Sequence, residues 1–258
     1  VVEGLWDEAR QPLDHQGAHF QVSGPLDVSP SAQRTPVISQ AGGSADGVAL
    51  AARHAELIFA IQPSVTAAQQ FVREVRKRAT QEGRDGAALR ILPGVIPYLA
   101  DTSDEARRYK NELDSRIDLD PLYALAARYL HLDERQLRQL TPASAFPIEL
   151  LPDIETVDNS VGTFLHLAER IRTENPTVAQ TVIVAAGGRH REFVGTPESF
   201  ADDLEQWLDA DASDGFVLMF PHTERDLPFF IEKAVPALQR RGLLRTSYRG
   251  TTLRDHLR

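Results

Sequence analysis

The segment from Thr35 to Ala60, TPVISQAGGSADGVALAARHAELIFA, constrains the fold more than any other part of this 258-residue chain. Pro36 to Ala41 reads as a short buried strand, Gly42-Gly43-Ser44 as a tight turn, Ala45 to Ala55 as a helix and Leu57 to Ala60 as a second apolar strand. Together they make a compact βαβ unit. Two glycines ahead of a hydroxyl residue at a helix start let backbone N–H groups approach an anion closely, and the helix dipole favours negative charge there. Two readings of the turn stand side by side: it holds a phosphate, or Ser44 simply caps the helix.

The alternation continues downstream. Between Thr66 and Glu82, Ala68, Phe71, Val72, Val75 and Ala79 share one helical stripe, and Gly83 is placed to stop the helix. Leu89 to Leu99 is a buried strand made irregular by Pro93 and Pro97, and Thr102 with Glu105 forms a capping box that opens the next helix. Strand, helix, strand, helix, strand, helix predicts a parallel sheet with right-handed crossovers.

From about Asp104 to Arg191 the alternation stops and the chain turns helical. Leu122, Leu125, Ala126, Tyr129 and Leu130 share a face, as do Val157, Val161, Phe164, Leu165, Ala168 and Ile171; the proline-rich connection Thr141 to Asp158 lies between them. An excursion of this length between parallel strands is expected to lie over the active face and to shape or cover a substrate site. The alternation resumes with a helix capped by Thr196, with Pro197 in its first position and Phe200, Leu204, Trp207 and Leu208 on its inner face, followed by the strand Phe216 to Phe220. Leu227 to Arg241 is a last helical region, interrupted at Pro236 and stopped by Gly242, and Thr246 to Arg258 is a polar tail that wraps the surface or a partner. At the other end, Trp6 to Arg10 reads as the close of a helix with Trp6 a packing residue, and Gly17 to Pro36 as a loop with a small hairpin near His19 to Val22.

Composition removes several function classes. With 42% hydrophobic and 25% charged residues the chain is globular in type and large enough for a sizeable core. No apolar run approaches bilayer-spanning length and VVEGLWDEAR lacks the order of a secretion signal, so a cytoplasmic setting without membrane attachment is expected. The absence of cysteine excludes disulfides, thiolate nucleophiles and Cys-based metal sites. A net charge of -9 argues against broad nucleic-acid binding, and the basic run Arg73 to Arg78 is assigned to a helix's solvent side. No His-x-x-x-His or Glu-x-x-His spacing offers a metal site, and Asp202-Asp203 and Asp209 to Asp214 read as exposed acidic faces rather than paired catalytic carboxylates. Ser44 lies in Gly-Gly-Ser-Ala-Asp-Gly, not in the Gly-x-Ser-x-Gly elbow of a hydrolase.

Three separated segments, GPLDVSPSAQRTPVISQAGGSADGVALAARHAELIFA, VGTPESFADDLEQWLDADASDGFVLMFP and VPALQRRGLLRTSYRGTTLRDHL, resemble in that order the carboxyl-terminal part of flavin-dependent monooxygenases of the bacterial-luciferase-like superfamily. Within it they most resemble the group of nitrilotriacetate monooxygenase component A and the dibenzothiophene-sulfone and long-chain alkane monooxygenases. The resemblance runs from about Gly24 to the end and is weakest in the excursion. It implies a (β/α)8 TIM barrel with FMN at the carboxyl ends of the strands. The family's phosphate turn Gly-x-Ser-x-x-Gly matches here at Gly42, Ser44 and Gly47, with Gly43 a further backbone donor.

The chain offers four credible barrel strands, Pro36 to Ala41, Leu57 to Ala60, Leu89 to Leu99 and Phe216 to Phe220. It is therefore expected to be the C-terminal half of a barrel, with the helical insertion at about 104–191 before the last strand and one luciferase-like domain over 1–258. The catalytic residues are then expected in an absent N-terminal half, and such a half-barrel leaves unpaired sheet edges. The activity implied is that of a two-component enzyme: reduced FMN from a separate NAD(P)H-dependent flavin reductase reacts with O2, and the resulting peroxyflavin oxygenates a small organic substrate in what is expected to be a homo-oligomer. A deazaflavin F420-dependent oxidoreductase of the same superfamily and a non-catalytic remnant or interaction module are the alternatives. On the substrate side, His190 and Arg191 either face the pocket, where Arg suits an anionic group, or sit in a solvated loop. His222, directly after a strand, stands where barrel active sites are built, whereas His54 at a helix end is structural.

Overall fold

A computed structural model describes residues 13–24, 31–158, 160–187 and 190–257. Trp6, the helix end expected at Trp6 to Arg10, and Gly188 lie outside the described residues. The chain divides into two units, 1–37 with 248–258, and 38–247.

In the smaller unit, β1 (His15–Gln16) and β2 (Gln21–Val22) pair as the expected antiparallel hairpin. The polar tail closes on the chain's own N-terminal segment: Arg254, in the helical turn Leu253–His256, donates to the carbonyls of Thr35 (2.8 Å) and Pro36 (3.2 Å).

In the larger unit β3 (Ser39–Ala41), α1 (Ala45–His54), β4 (Leu57–Ala60), α2 (Val65–Gln81) and β5 (Arg90–Leu99) follow the predicted order. After β5 come α3 (Ser103–Ser115), α4 (Tyr123–Leu130), α5 (Glu134–Arg138), α6 (Val161–Glu174) and α7 (Val178–Ala186). The sheet is rejoined by β6 (Arg191–Gly195), α8 (Pro197–Asp209) and β7 (Val217–Leu218), and α9 (Thr223–Phe229) and α10 (Val235–Arg240) close the unit. β3, β4, β5 and β6 pair in that order, β7 pairs with β5, and every pair is parallel.

Hydrogen bonding shows how three strands share one long β5. The N–H groups of Arg90 and Ala100 donate to Glu56 and Gly195 on one edge, while Ile91 and Val95 accept from Asp214 and Met219 on the other. β4 thus covers the first half of one edge, β6 its second half, and β7 the opposite edge. Pro93 and Pro97 share the parity of Ile91 and Val95, so their missing N–H groups cost no ladder bond to β4 or β6, and β5 runs unbroken.

β6 is the strand that the residue pattern hid. Arg-Glu-Phe-Val-Gly is short, with two of its five residues charged, and it is extended because β5 outruns β4 and leaves an edge to pair with. The excursion therefore ends at Ala186, with β6 and α8 lying ahead of the last strand.

The faces of the sheet differ. Ile58 and Ile91 pack with Val48, Ala52, Val72 and Val75 of α1 and α2, and Val95 and Leu99 with Phe200 and Leu204 of α8 and Leu238 of α10. The opposite face carries Leu57, Phe59, Leu92 and Ile96, all half-buried. The excursion has a core of its own, with Tyr123, Leu130, Leu167, Ile171 and Val182 buried together. Leu125, Val161 and Leu165, grouped on shared faces from the sequence, are exposed; α4 buries Ala126 and Leu130 as expected, with Leu122 and Tyr129 packed beside them and Tyr123 and Ala127 added.

Three further expectations are corrected. The last helical region starts at Thr223, and its irregularity is a π-turn at Phe230–Ala234 ahead of Pro236, whose ring and missing N–H disturb the turn before it. Asp214 is not on an exposed acidic face: its carboxylate accepts from Arg76 (2.7 Å) and from the Ile91 N–H (2.9 Å), tying α2 to the start of β5. Arg76 consequently leaves the solvent side to which the basic run was assigned.

Candidate functional site

The turn between β3 and α1 is built by glycine geometry. Gly42 has φ +149°, a region that residues with a side chain rarely occupy, and a Cβ at Gly43 would meet nothing within 4 Å. At Gly47 a Cβ would stand 3.1 Å from both Ser44 Oγ and Gln40 Nε2, so a side chain there would press on the capping serine and on Gln40. Ser44 is the N-cap, its Oγ accepting from the Gly47 N–H at 3.1 Å while its carbonyl accepts from Val48 at 2.8 Å. The N–H groups of Ala45 and Asp46, in the first turn, have no acceptor within the helix. Gly42, Gly43 and Ser44 are exposed, which leaves an open approach to these donors at the positive end of a ten-residue helix. Asp46 adds a carboxylate to the same turn.

His222 follows β7 and lies, like the Gly42–Ser44 turn after β3, beyond the carboxyl end of a parallel strand. It is the exposed N-cap of α9: its Nδ1 accepts from the Arg225 N–H (3.2 Å), and its own N–H donates to Asp226 Oδ2 (2.8 Å). Asp226 is buried and also accepts from the Tyr109 hydroxyl (2.8 and 3.0 Å) and the Arg225 guanidinium (2.8 Å), which lies 3.5 Å over the Tyr109 ring. Burial, then the hydrogen bond to Asp226, pushes the Tyr109 phenol up to about 12. Tyr109, Arg225 and Asp226 were not singled out from the sequence; the one local hint is a carboxylate four residues after His222, placed to bend back onto a helix start.

His190 is buried and stacks on Phe59 of the half-buried sheet face, with ring centroids 5.0 Å apart and planes 13° apart. It reaches this place because position 94 is glycine, where a Cβ would come within 2.3 Å of the imidazole Nδ1. Arg191, next in the chain, points to the other side: Asp203 of α8 binds its guanidinium bidentately at 3.0 and 2.6 Å, and Trp207 stacks on it at 4.5 Å. The two neighbours are thus divided between opposite faces of β6, and neither sits in a solvated loop. His54 is exposed in the last turn of α1.

Under the excursion lies a cavity of about 230 Å³ between α3, α6, α7 and β6. It is lined by charged side chains, among them Lys110, Arg170 and Glu192, that the pattern of residues did not bring together. Among the described residues no group of three or more His, Asp or Glu side chains is arranged to hold a metal ion, and no helix is long and apolar enough to cross a membrane.

Comparison with known proteins adds to this geometry. The luciferase-like monooxygenase family profile matches residues 1–213. The chain is 37% identical to N-acetyl-S-(2-succino)cysteine monooxygenase of Bacillus subtilis, over 99% of this chain and 62% of that protein. It is 39% identical to nitrilotriacetate monooxygenase component A of Aminobacter aminovorans, over 95% of this chain and 53% of that one. The solved structure of DmoA from Hyphomicrobium sulfonivorans superposes with a TM-score of 0.78 at 31% identity, over 95% of this chain and 50% of the other. The chain thus spans between half and two thirds of the length of these relatives.

Proposed function

The chain belongs to the luciferase-like monooxygenase family, and from that premise we propose that it contributes the C-terminal half of a (β/α)8 barrel to a two-component, FMN-dependent monooxygenase acting on a small organic substrate. The observation that carries the reading is the β3–α1 turn. Its exposed glycines, its N–H donors without helical acceptors and the helix dipole fit a phosphate dianion, and the fit depends on backbone rather than on any cationic side chain. Gly42, Gly43, Ser44 and Gly47 would hold the flavin phosphate there.

Reduced FMN, when bound, supplies the chemistry that activates O2 towards the substrate. The chain's own residues then position and shield. Phe59 and the stacked His190 present an aromatic wall on the half-buried sheet face, and the Asp226 network fixes the loop that carries His222 at the strand ends. A separate NAD(P)H-dependent flavin reductase as supplier of reduced FMN goes with this reading, as does a cytoplasmic setting.

Ser44→Asp in the complete protein tests the anchor. Asp is as good an N-cap as Ser, so the helix keeps its start while a carboxylate is set against the phosphate. FMN affinity is expected to fall at least about tenfold, about 1.4 kcal/mol. Unchanged affinity in a folded variant would show that the phosphate binds elsewhere.

A further inference from the structure

The cavity under the excursion is ringed by charges that the flavin anchor does not use. Lys110 and Asp114 come from α3, Arg170 and Glu174 from α6, and Glu192 from β6. Three carboxylates against two cations leave one net negative charge, carried by Glu174 at the half-exposed rim, while the four inner charges balance. Lys110, Asp114, Arg170 and Glu192 are each at most one fifth exposed. A protein gains little stability from burying such groups, because apolar side chains of the same volume would serve at least as well. A polar cavity among them is instead suited to a polar occupant.

The hydrogen bonding identifies what is wanted. Glu192 is only one tenth exposed, and its Oε2 accepts from Arg170 Nη2 at 3.0 Å. Lys110 Nζ stands 3.6 Å from Oε1, too far for a hydrogen bond, because that ammonium is drawn to Asp114 at 2.5 Å and over the Tyr98 ring at 5.2 Å. Arg170 is committed as well, its Nε donating to Glu174 at 2.8 Å. Both cations are engaged, and Oε1 of the most buried of these carboxylates accepts no hydrogen bond from the described residues and is open to the cavity. Leu167, Ile171 and Val184 form the apolar part of the wall. Burial, then Glu192 and Asp114, raise the Tyr98 phenol above its ordinary range, as expected beside an excess of negative charge.

We propose that this cavity is a binding site for a small organic cation, a primary ammonium on a short apolar stem, with the ammonium donating to Glu192 and the stem lying on Leu167, Ile171 and Val184. An anion is disfavoured, since both cations are already paired with carboxylates and it would stand against Glu192 and Asp114. The site is independent of the flavin anchor, and it can be tested without flavin.

The probes are butylammonium, butyrate and butanol, matched in shape and differing in charge, titrated into the protein and followed by calorimetry and by methyl NMR shifts at Ile171 and Val184. Butylammonium is expected to bind and to shift these methyls, with butyrate and butanol at least about tenfold weaker. Glu192→Gln, which leaves Lys110 with Asp114 and Arg170 with Glu174, should lower butylammonium affinity about tenfold. Val184→Leu, which narrows the cavity and touches no charge, should weaken it too. Butyrate binding as well as butylammonium, Glu192→Gln binding it unchanged, or no probe binding at all would overturn the proposal.

Discussion

Removing the Arg191 guanidinium should weaken the fold before it touches any substrate. Its side chain is 9% exposed and Asp203's is 22% exposed, and two hydrogen bonds join them at 3.0 and 2.6 Å. Taking one partner from a buried ion pair costs about 3–5 kcal/mol. Asp203 can regain water through its exposed edge, so the low end applies and is lowered further, to about 2–3 kcal/mol. The stacking on Trp207 at 4.5 Å adds about 0.5–1 kcal/mol. Arg191→Met, which keeps the stem, is therefore expected to cost about 3 kcal/mol in total, or about 6–12 °C in melting temperature for a unit of this size. Thermal unfolding by circular dichroism measures the loss. Asp203→Asn leaves the more buried charge without its counter-ion and should cost at least as much, about 3 kcal/mol, and the double variant should fall short of the sum because both changes break one interaction. If Arg191→Met melts with the parent while affinity for an anionic substrate drops, the guanidinium faces the substrate and the assignment to Asp203 is wrong.

Two other outcomes follow from close contacts. Gly94→Ala puts a methyl 2.3 Å from His190 Nδ1 and 2.9 Å from Phe59 Cε2, and should destabilise by about 1–3 kcal/mol in urea unfolding. His190→Ala added to it should restore part of the loss, and no restoration would mean that the backbone rather than the imidazole takes the strain. Tyr109 has a folded pKa of about 12, above the ordinary value of a phenol, so its contribution is complete below about pH 10 and is lost as pH rises through about 12. Tyr109→Phe should cost about 1 kcal/mol at neutral pH and flatten that alkaline decline; an unaltered alkaline profile would place the titration elsewhere.

The readable parts of this chain are those whose cause is local. Ser44, Thr102 and Thr196 each cap the helix that follows, and the Val72–Val75 stripe packs on the sheet as its period requires. In α4 the periodicity identified the helix and most of its inward face, Leu122, Ala126, Tyr129 and Leu130, but included Leu125 and left out Tyr123 and Ala127, since neighbouring rotations of a leucine-rich helix satisfy the pattern and only the neighbours choose one. The residues around the candidate sites were harder. Asp214 meets Arg76 across 138 positions of sequence and Tyr109 meets Asp226 across 117, and no spacing rule connects residues so far apart.

By itself the order of amino acids determined an α/β chain with a parallel sheet, a glycine-flanked serine at a helix start, and a helical excursion between strands, because backbone preference, capping and apolar period act over a few residues. Tertiary structure alone decided that Arg-Glu-Phe-Val-Gly is a strand, that His190 and Arg191 part to opposite faces, and that five charges meet around a cavity. Pairing to a free sheet edge and burial of charge are set by what the folded chain places alongside, and that is encoded in no single stretch.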